Sequence, residues 1–322
     1  MREQFIEVCG GLIMSQVTYF RENAISSRVK WIAGATSALI LSFLGGVVSA
    51  QAETVSDASK QPISPFMSAK TEANQQLMIK YALHESGVYE LLRQMPALIN
   101  QEIGNLEASA MQLTDQELKL LRANLKARLQ ASDIKHSMLS YLQSRMSENQ
   151  LVVVKKMLQA PDILNFKQLQ DDADNDVAHG HMRSYKVQLQ EREPNKSRVG
   201  LVEALDYSLR QTRIETEIKV ELRKSLLANV SWMKSSQELP EEVLEKELAE
   251  YRERVGSHIN ENARVFYLYL FKQTSSSDIR QLITQYETPE FEVFMGLCED
   301  AILNAFKKAR RDVYNDTALA GN

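Results

Sequence analysis

From residue 71 onward, apolar residues recur three and four positions apart along almost the whole chain. Leu77, Tyr81, Val88, Leu91, Leu92, Met95, Leu98 and Ile99 open the series. Leu118, Leu121, Leu125 and Leu129 continue it, and Val202, Leu205, Leu209, Ile214, Ile218, Leu222, Leu226 and Val230 extend it furthest. This spacing places apolar side chains on one face of an α-helix. The 322 residues include only 12 glycines and 7 prolines, well under the usual roughly 7% and 5%. A β-rich chain needs turn residues about every 8 to 12 positions, so the expectation is an all-α fold. A hydrophobic fraction of 44% is enough for a core, and a net charge of -4 gives no attraction for nucleic acid.

Several helix ends are legible. Thr114 followed by Glu117 forms a capping-box pattern, and Ser147 is placed to cap the next helix. A helix is expected over 134 to 146. Val152, Val153 and Val154 are β-prone, but the cap before them favours a short buried helix. Ser197 stands before the longest stripe, which predicts one helix from 198 to about 233. Pro240 falls in the first turn of the next helix, with Glu241 and Glu242 favoured by its positive end. The run "VFYLYLF" (265–271) is apolar all round and reads as core.

The strongest internal signal is a repeat. "SENQLVVVKKMLQAPDILNFKQL" starts at Ser147 and "SSSDIRQLITQYETPEFEVFMGL" at Ser275, 128 positions apart. Leu151 pairs with Ile279, Val154 with Leu282, Leu158 with Tyr286, Pro161 with Pro289, Ile163 with Phe291 and Phe166 with Phe294. The unit is a helix–proline–helix hairpin in which serine caps, proline turns, and the acid after proline (Asp162, Glu290) meets a helix N-terminus. The expected architecture is two related multi-helix halves, 71–180 and 198–315, each with one such hairpin packed on itself. A connector (181–197), a flexible lead-in (53–70) and a tail (316–322) complete it.

The second hairpin, "SSSDIRQLITQYETPEFEVF", resembles the C-terminal motif of the uncharacterised 2059 family of bacterial domains of unknown function. Ile279, Leu282, Ile283, Tyr286, Pro289 and Phe294 match that motif. Where the family has glycine after Pro-x, this chain has Phe291 or Glu292, and the first copy has Ala160 and Ile163 at its corner. The resemblance covers about 25 residues per copy. It implies an exported, helical protein and carries over no catalytic residue.

The N-terminus points the same way. Arg28 and Lys30 precede an apolar run over 31–48, and small residues follow at Ser49, Ala50 and Ala52. That is the order of a secretory signal, giving residues 1–52 as a signal peptide and a periplasmic location. A run of about 20 apolar residues also suits a membrane anchor, so an anchored periplasmic interaction protein is one alternative. Met14 is a second candidate start. Of the two cysteines, Cys9 falls in the signal and Cys298 lies among apolar residues, so the mature chain has no internal disulfide.

Ligand-type residues crowd together only in "DDADNDVAHGHM" (171–182). Asp172, Asp174 and Asp176 imitate the start of a calcium loop, but Val177 stands at the position that needs glycine and Arg183 at the one that needs glutamate. His179 and His181, with Asp176, are weak candidates for a transition metal. The favoured reading is a solvated acidic connector with no metal. Lys307, Lys308, Arg310 and Arg311 form a basic patch suited to a helix end. His84, His136 and His258 are isolated, and no nucleophile, phosphate-loop or dinucleotide motif occurs.

No catalytic or cofactor-binding residue is therefore assigned, and no cofactor is expected. The expected function is a non-catalytic binding or accessory protein of the bacterial envelope with an unidentified partner. An envelope hydrolase with an unrecognised carboxylate site is the other alternative. N-terminal sequencing of the protein from cells is expected to begin at Gln51 or Glu53. A retained Met1 or Met14 in the membrane fraction would mean an anchor instead.

Overall fold

Ser147 and Ser275 each open a helix of eleven residues, and in each case a proline then turns the chain. The computed structural model describes residues 65–107, 113–235, 237 and 239–315; the expected signal peptide, most of the expected lead-in and the tail lie outside them. Among the described residues every regular element is a helix. The first half holds α1 (Pro65–Glu85), α2 (Val88–Arg93), α3 (Met95–Glu107), α4 (Asp115–Arg128), α5 (Ala131–Gln143), α6 (Glu148–Leu158) and α7 (Pro161–Asp172). After α8 (Asp176–Glu191), the second half holds α9 (Lys196–Leu209), α10 (Gln211–Ser235), α11 (Glu241–Leu270), α12 (Ser276–Tyr286) and α13 (Pro289–Asn315).

Local chemistry accounts for many of these ends. Thr114 and Ser147 form complete capping boxes with Glu117 and Gln150, and Ser275 accepts from the Asp278 amide. Some boundaries differ from those the sequence suggests. α1 already begins at Pro65, inside the expected lead-in. Asn195, two residues before Ser197, is the cap of α9, and Pro240 is the cap of α11 instead of its first turn. The stripe from 198 to 233 is two helices, because Arg210 adopts a left-handed backbone with φ 55°. A single left-handed residue ends a helix without disturbing the apolar spacing on either side.

The two hairpins share several local features. Leu151 and Ile279, Val154 and Leu282, Leu158 and Tyr286, Ile163 and Phe291, and Phe166 and Phe294 are all buried. Upstream, Gln75 donates to the carbonyls of Gln143 (3.2 Å) and Met146 (2.8 Å). In the matching place Arg198 donates to the carbonyls of Phe271 and Thr274. Each contact ties the first helix of its half to the turn before the serine cap, where carbonyls at a helix C-terminus lack partners. Gly87 (φ 77°) and Arg210 are the left-handed residues among those described, and each ends that first helix.

The halves differ where one helix becomes two. Pro96 has no amide hydrogen, and its ring collides with the carbonyl four residues back, so the helix after Gly87 breaks at Gln94. Lys219 stands in the matching place, and α10 runs unbroken for 25 residues. Similarly, α4 and α5 correspond to the single 30-residue α11.

The hairpins do not simply pack on themselves. The Phe166 ring stacks on Phe271 at 5.6 Å and meets Tyr286 edge-on at 6.2 Å, both in the second half. Asp162 accepts hydrogen bonds from Gln281 and Gln285, each 2.7 Å. Tyr185 of α8 packs on Tyr269 of α11 at 5.7 Å. In return, α13 packs on α5 and α6. This corrects the expectation for Phe166, while the ring beside Phe294 is Phe291 of its own hairpin, at 6.2 Å. One core therefore runs through both halves, from Met78 to Ala309. Except for half-buried Phe266, the run 265–271 lies within the interior.

Phe166→Ala should lower stability by about 3 to 5 kcal/mol, because it removes a ring held between the halves. Leu164→Ala, on the exposed side of the same helix, should change little. Urea unfolding midpoints of the two variants would check the contrast.

Candidate functional site

α9, α10 and α11 meet around a half-open cleft of about 820 Å³ in the second half. α11 contributes a polar stripe with four-residue spacing, Arg252, Gly256, Asn260 and Arg264. That spacing repeats once per helical turn and keeps all four on one face. An adjoining face of α11 carries Leu248, Tyr251, Val255 and Ile259, which are buried. α10 supplies Thr212, Arg213, Thr216 and Glu217, and α9 supplies Glu203, Asp206 and Tyr207. α10 and α11 lie against each other here: a Cβ on Gly256 would meet the Thr216 methyl at 3.5 Å, an ordinary contact.

Several charged groups of the cleft are paired. Arg252 bonds Glu217 and Glu245, each at 3.2 Å. Arg264 pairs with Glu261 and lies 3.9 Å from Glu203. Arg213 donates to Glu299 at 2.9 Å, and Thr212 donates to Asp206. Burial works against the charge of Arg252, but Glu217 and Glu245 outweigh it and hold its pKa above the usual guanidinium range. Arg210 sits at the end of the cleft, its guanidinium 3.5 Å from where a Cβ of Gly296 would lie. A larger residue at 296 would crowd it. Tyr207 stands at the rim, 78% exposed.

Arg252 is also the outer end of a chain of charges that runs into the core. Glu245, its partner, pairs with Lys224, which is 1% exposed and also reaches Glu221 (3.0 Å) and Glu241 (3.1 Å). Glu221 in turn pairs with buried Arg310. Arg310 thus belongs to the interior and not to the surface patch the sequence suggests. The other polar groups buried on α10 are mostly satisfied locally. Thr216, Ser225 and Asn229 each donate to the carbonyl four residues back, at 2.8, 2.9 and 2.7 Å.

In the acidic stretch 171–182, Asp171, Asp172 and His181 are exposed, but the stretch is mostly helical, spanning the end of α7 and the start of α8. Asn175 caps α8 by accepting from the Ala178 amide at 2.9 Å. His179 is buried, with Nε2 3.5 Å from Asp174, while His181 is exposed. Residues two apart on a helix face different ways, so the two imidazoles do not converge. Asp176 begins the helix. Among the described residues no three His, Cys, Asp or Glu side chains gather as a metal site. Burial pushes the Cys298 thiol well above its ordinary pKa, which keeps it protonated and unreactive.

The cleft residues escaped the sequence reading because a polar stripe on an amphipathic helix ordinarily faces water. The usable signal was the length of that stripe beside an equally long apolar one. No family model matches the chain, and no curated protein or solved structure matches it either.

Two measurements test the charge chain. Glu221→Gln removes the carboxylate between Lys224 and Arg310, and breaking a buried pair costs about 3 to 5 kcal/mol; a large drop in the urea midpoint is expected. Burial raises the pKa of Glu245, but Lys224 and Arg252 more than offset this and leave it below the ordinary value. Its stabilising effect is thus present above the unfolded-state pKa, about 4.3, and fades as pH falls through the lower folded value. Glu245→Gln should accordingly flatten the loss of stability in acid, as read from melting temperatures between neutral and acidic buffers.

Proposed function

We propose that this chain is an exported, non-catalytic binding protein of the bacterial envelope, with its ligand held in the cleft between α9, α10 and α11. The observation that carries the reading is the cleft itself. Its size falls within the range of ligand sites, about 300 to 1,000 Å³, and Thr212, Arg213, Arg252 and Arg264 on its walls are each held by a hydrogen bond or ion pair. A preorganised wall of donors and acceptors lowers the entropic cost of ordering side chains on binding.

The same pairing favours binding over hydrolysis. Glu217 and Glu261 have guanidinium partners, whereas a general acid or base needs a carboxyl free to exchange a proton with the substrate. The signal-like sequence at the N-terminus and the resemblance of the serine–proline hairpins to an exported helical family support the location. No helix among the described residues is long and apolar enough to cross a membrane.

A ligand that binds only the folded chain stabilises it, by about 2.7 kcal/mol at one hundred times its Kd. A solubilised envelope fraction should therefore raise the melting temperature of the wild type. Asn260→Trp, which fills the cleft from an exposed position, should abolish that rise. An equal rise in the variant would place the ligand elsewhere. Release of fragments from the fraction on incubation would favour the hydrolase instead.

A further inference from the structure

Resting on that cleft as the binding site, we propose that its ligand is an extended, uncharged or weakly charged oligosaccharide segment. The first observation is length. Arg252 and Arg264 bound the site along α11, about 18 Å of helix, so it suits a chain of linked units better than one compact metabolite.

The second is charge. Four arginines line the cleft against five carboxylates, Glu203, Asp206, Glu217, Glu253 and Glu261. Such a wall attracts neither a polyanion nor a polycation, but it offers closely spaced donors and acceptors. Hydroxyl groups, which both donate and accept, match that array.

The third is the kind of residue that lines the cleft: apart from Val202, Tyr207 and Gly256, all are charged or polar. Val202 is fully buried and Tyr207 is the one aromatic side chain of the lining. A lipid would find no wall of apolar side chains against which to lay its chain. A peptide bound in extended form normally gains affinity from a strand edge or from apolar anchor pockets, and the described residues of the cleft supply neither. A sugar ring needs only one apolar face, and the exposed Tyr207 ring at the rim presents a flat surface with a polar hydroxyl at its end.

The full chain would be screened on an array of bacterial-envelope oligosaccharides graded in length, beside a library of short peptides. Binding should rise from single sugars to longer segments and then level off as the cleft fills. Tyr207→Ala should weaken it by about tenfold or more, roughly 1.4 kcal/mol, while leaving the melting temperature unchanged because the residue is exposed. Asn260→Trp should abolish it. Peptide binding that Asn260→Trp abolishes, with no sugar bound, would overturn the oligosaccharide assignment and leave the cleft as the binding site. Sugar binding indifferent to both substitutions would overturn the assignment to this cleft. Binding of neither class would overturn the assignment, and the proposed site as well if the envelope fraction also fails to stabilise the wild type.

Discussion

The exchange of proline hairpins between the halves holds this molecule together as one body. Phe166 leaves its own half to lie against Phe271 and Tyr286, and α13 returns to pack on α5 and α6. Neither half encloses its apolar face alone, so the core is continuous through both. Burial of aromatic rings at this crossing supplies area as well as directional ring contacts. The Gln281 and Gln285 bonds to Asp162 then fix how one hairpin sits on the other.

On that shared frame, small differences between the halves decide where a site can exist. Pro96 breaks the second helix of the first half, and no proline stands in the matching place of α10. α10 therefore runs unbroken beside α11, from Thr216 against Gly256 to Lys224 beside Glu241 and Glu245. The corner at Arg210 carries a cost that its counterpart Gly87 avoids, since a side chain in the left-handed region is strained by about 1 to 3 kcal/mol. At Gly87 a side chain would also collide with Gln211, whose amide lies 2.8 Å from the missing Cβ and bonds the Ser86 carbonyl. At Arg210 the strained residue is instead a guanidinium at the end of the cleft.

α10 pays for its central place by burying charge. Taking Glu221, Lys224 and Arg310 out of water costs several kcal/mol each, and only mutual pairing offsets it. The arrangement therefore contributes register more than net stability: α10, α11 and α13 fit together only when these charges meet. The same chain of pairs ends at Arg252, so the wall of the cleft is anchored to the core.

Much of this was legible in the residues alone. Apolar spacing and the lack of turn residues determined the helices, because helix formation is decided by neighbours three and four positions away. Thr114, Ser147 and Ser275 announced their caps, and Pro161 and Pro289 their corners, for the same local reason. The partners of Phe166, the burial of His179 and Arg310, and the cleft were decided only by the tertiary structure. Each depends on which distant helix arrives opposite, and a charged or polar residue looks identical in sequence whether it meets water or a buried ion of opposite sign. Arg210 shows the limit most clearly: its left-handed turn splits one apolar stripe into two helices, and no local residue signal marks it.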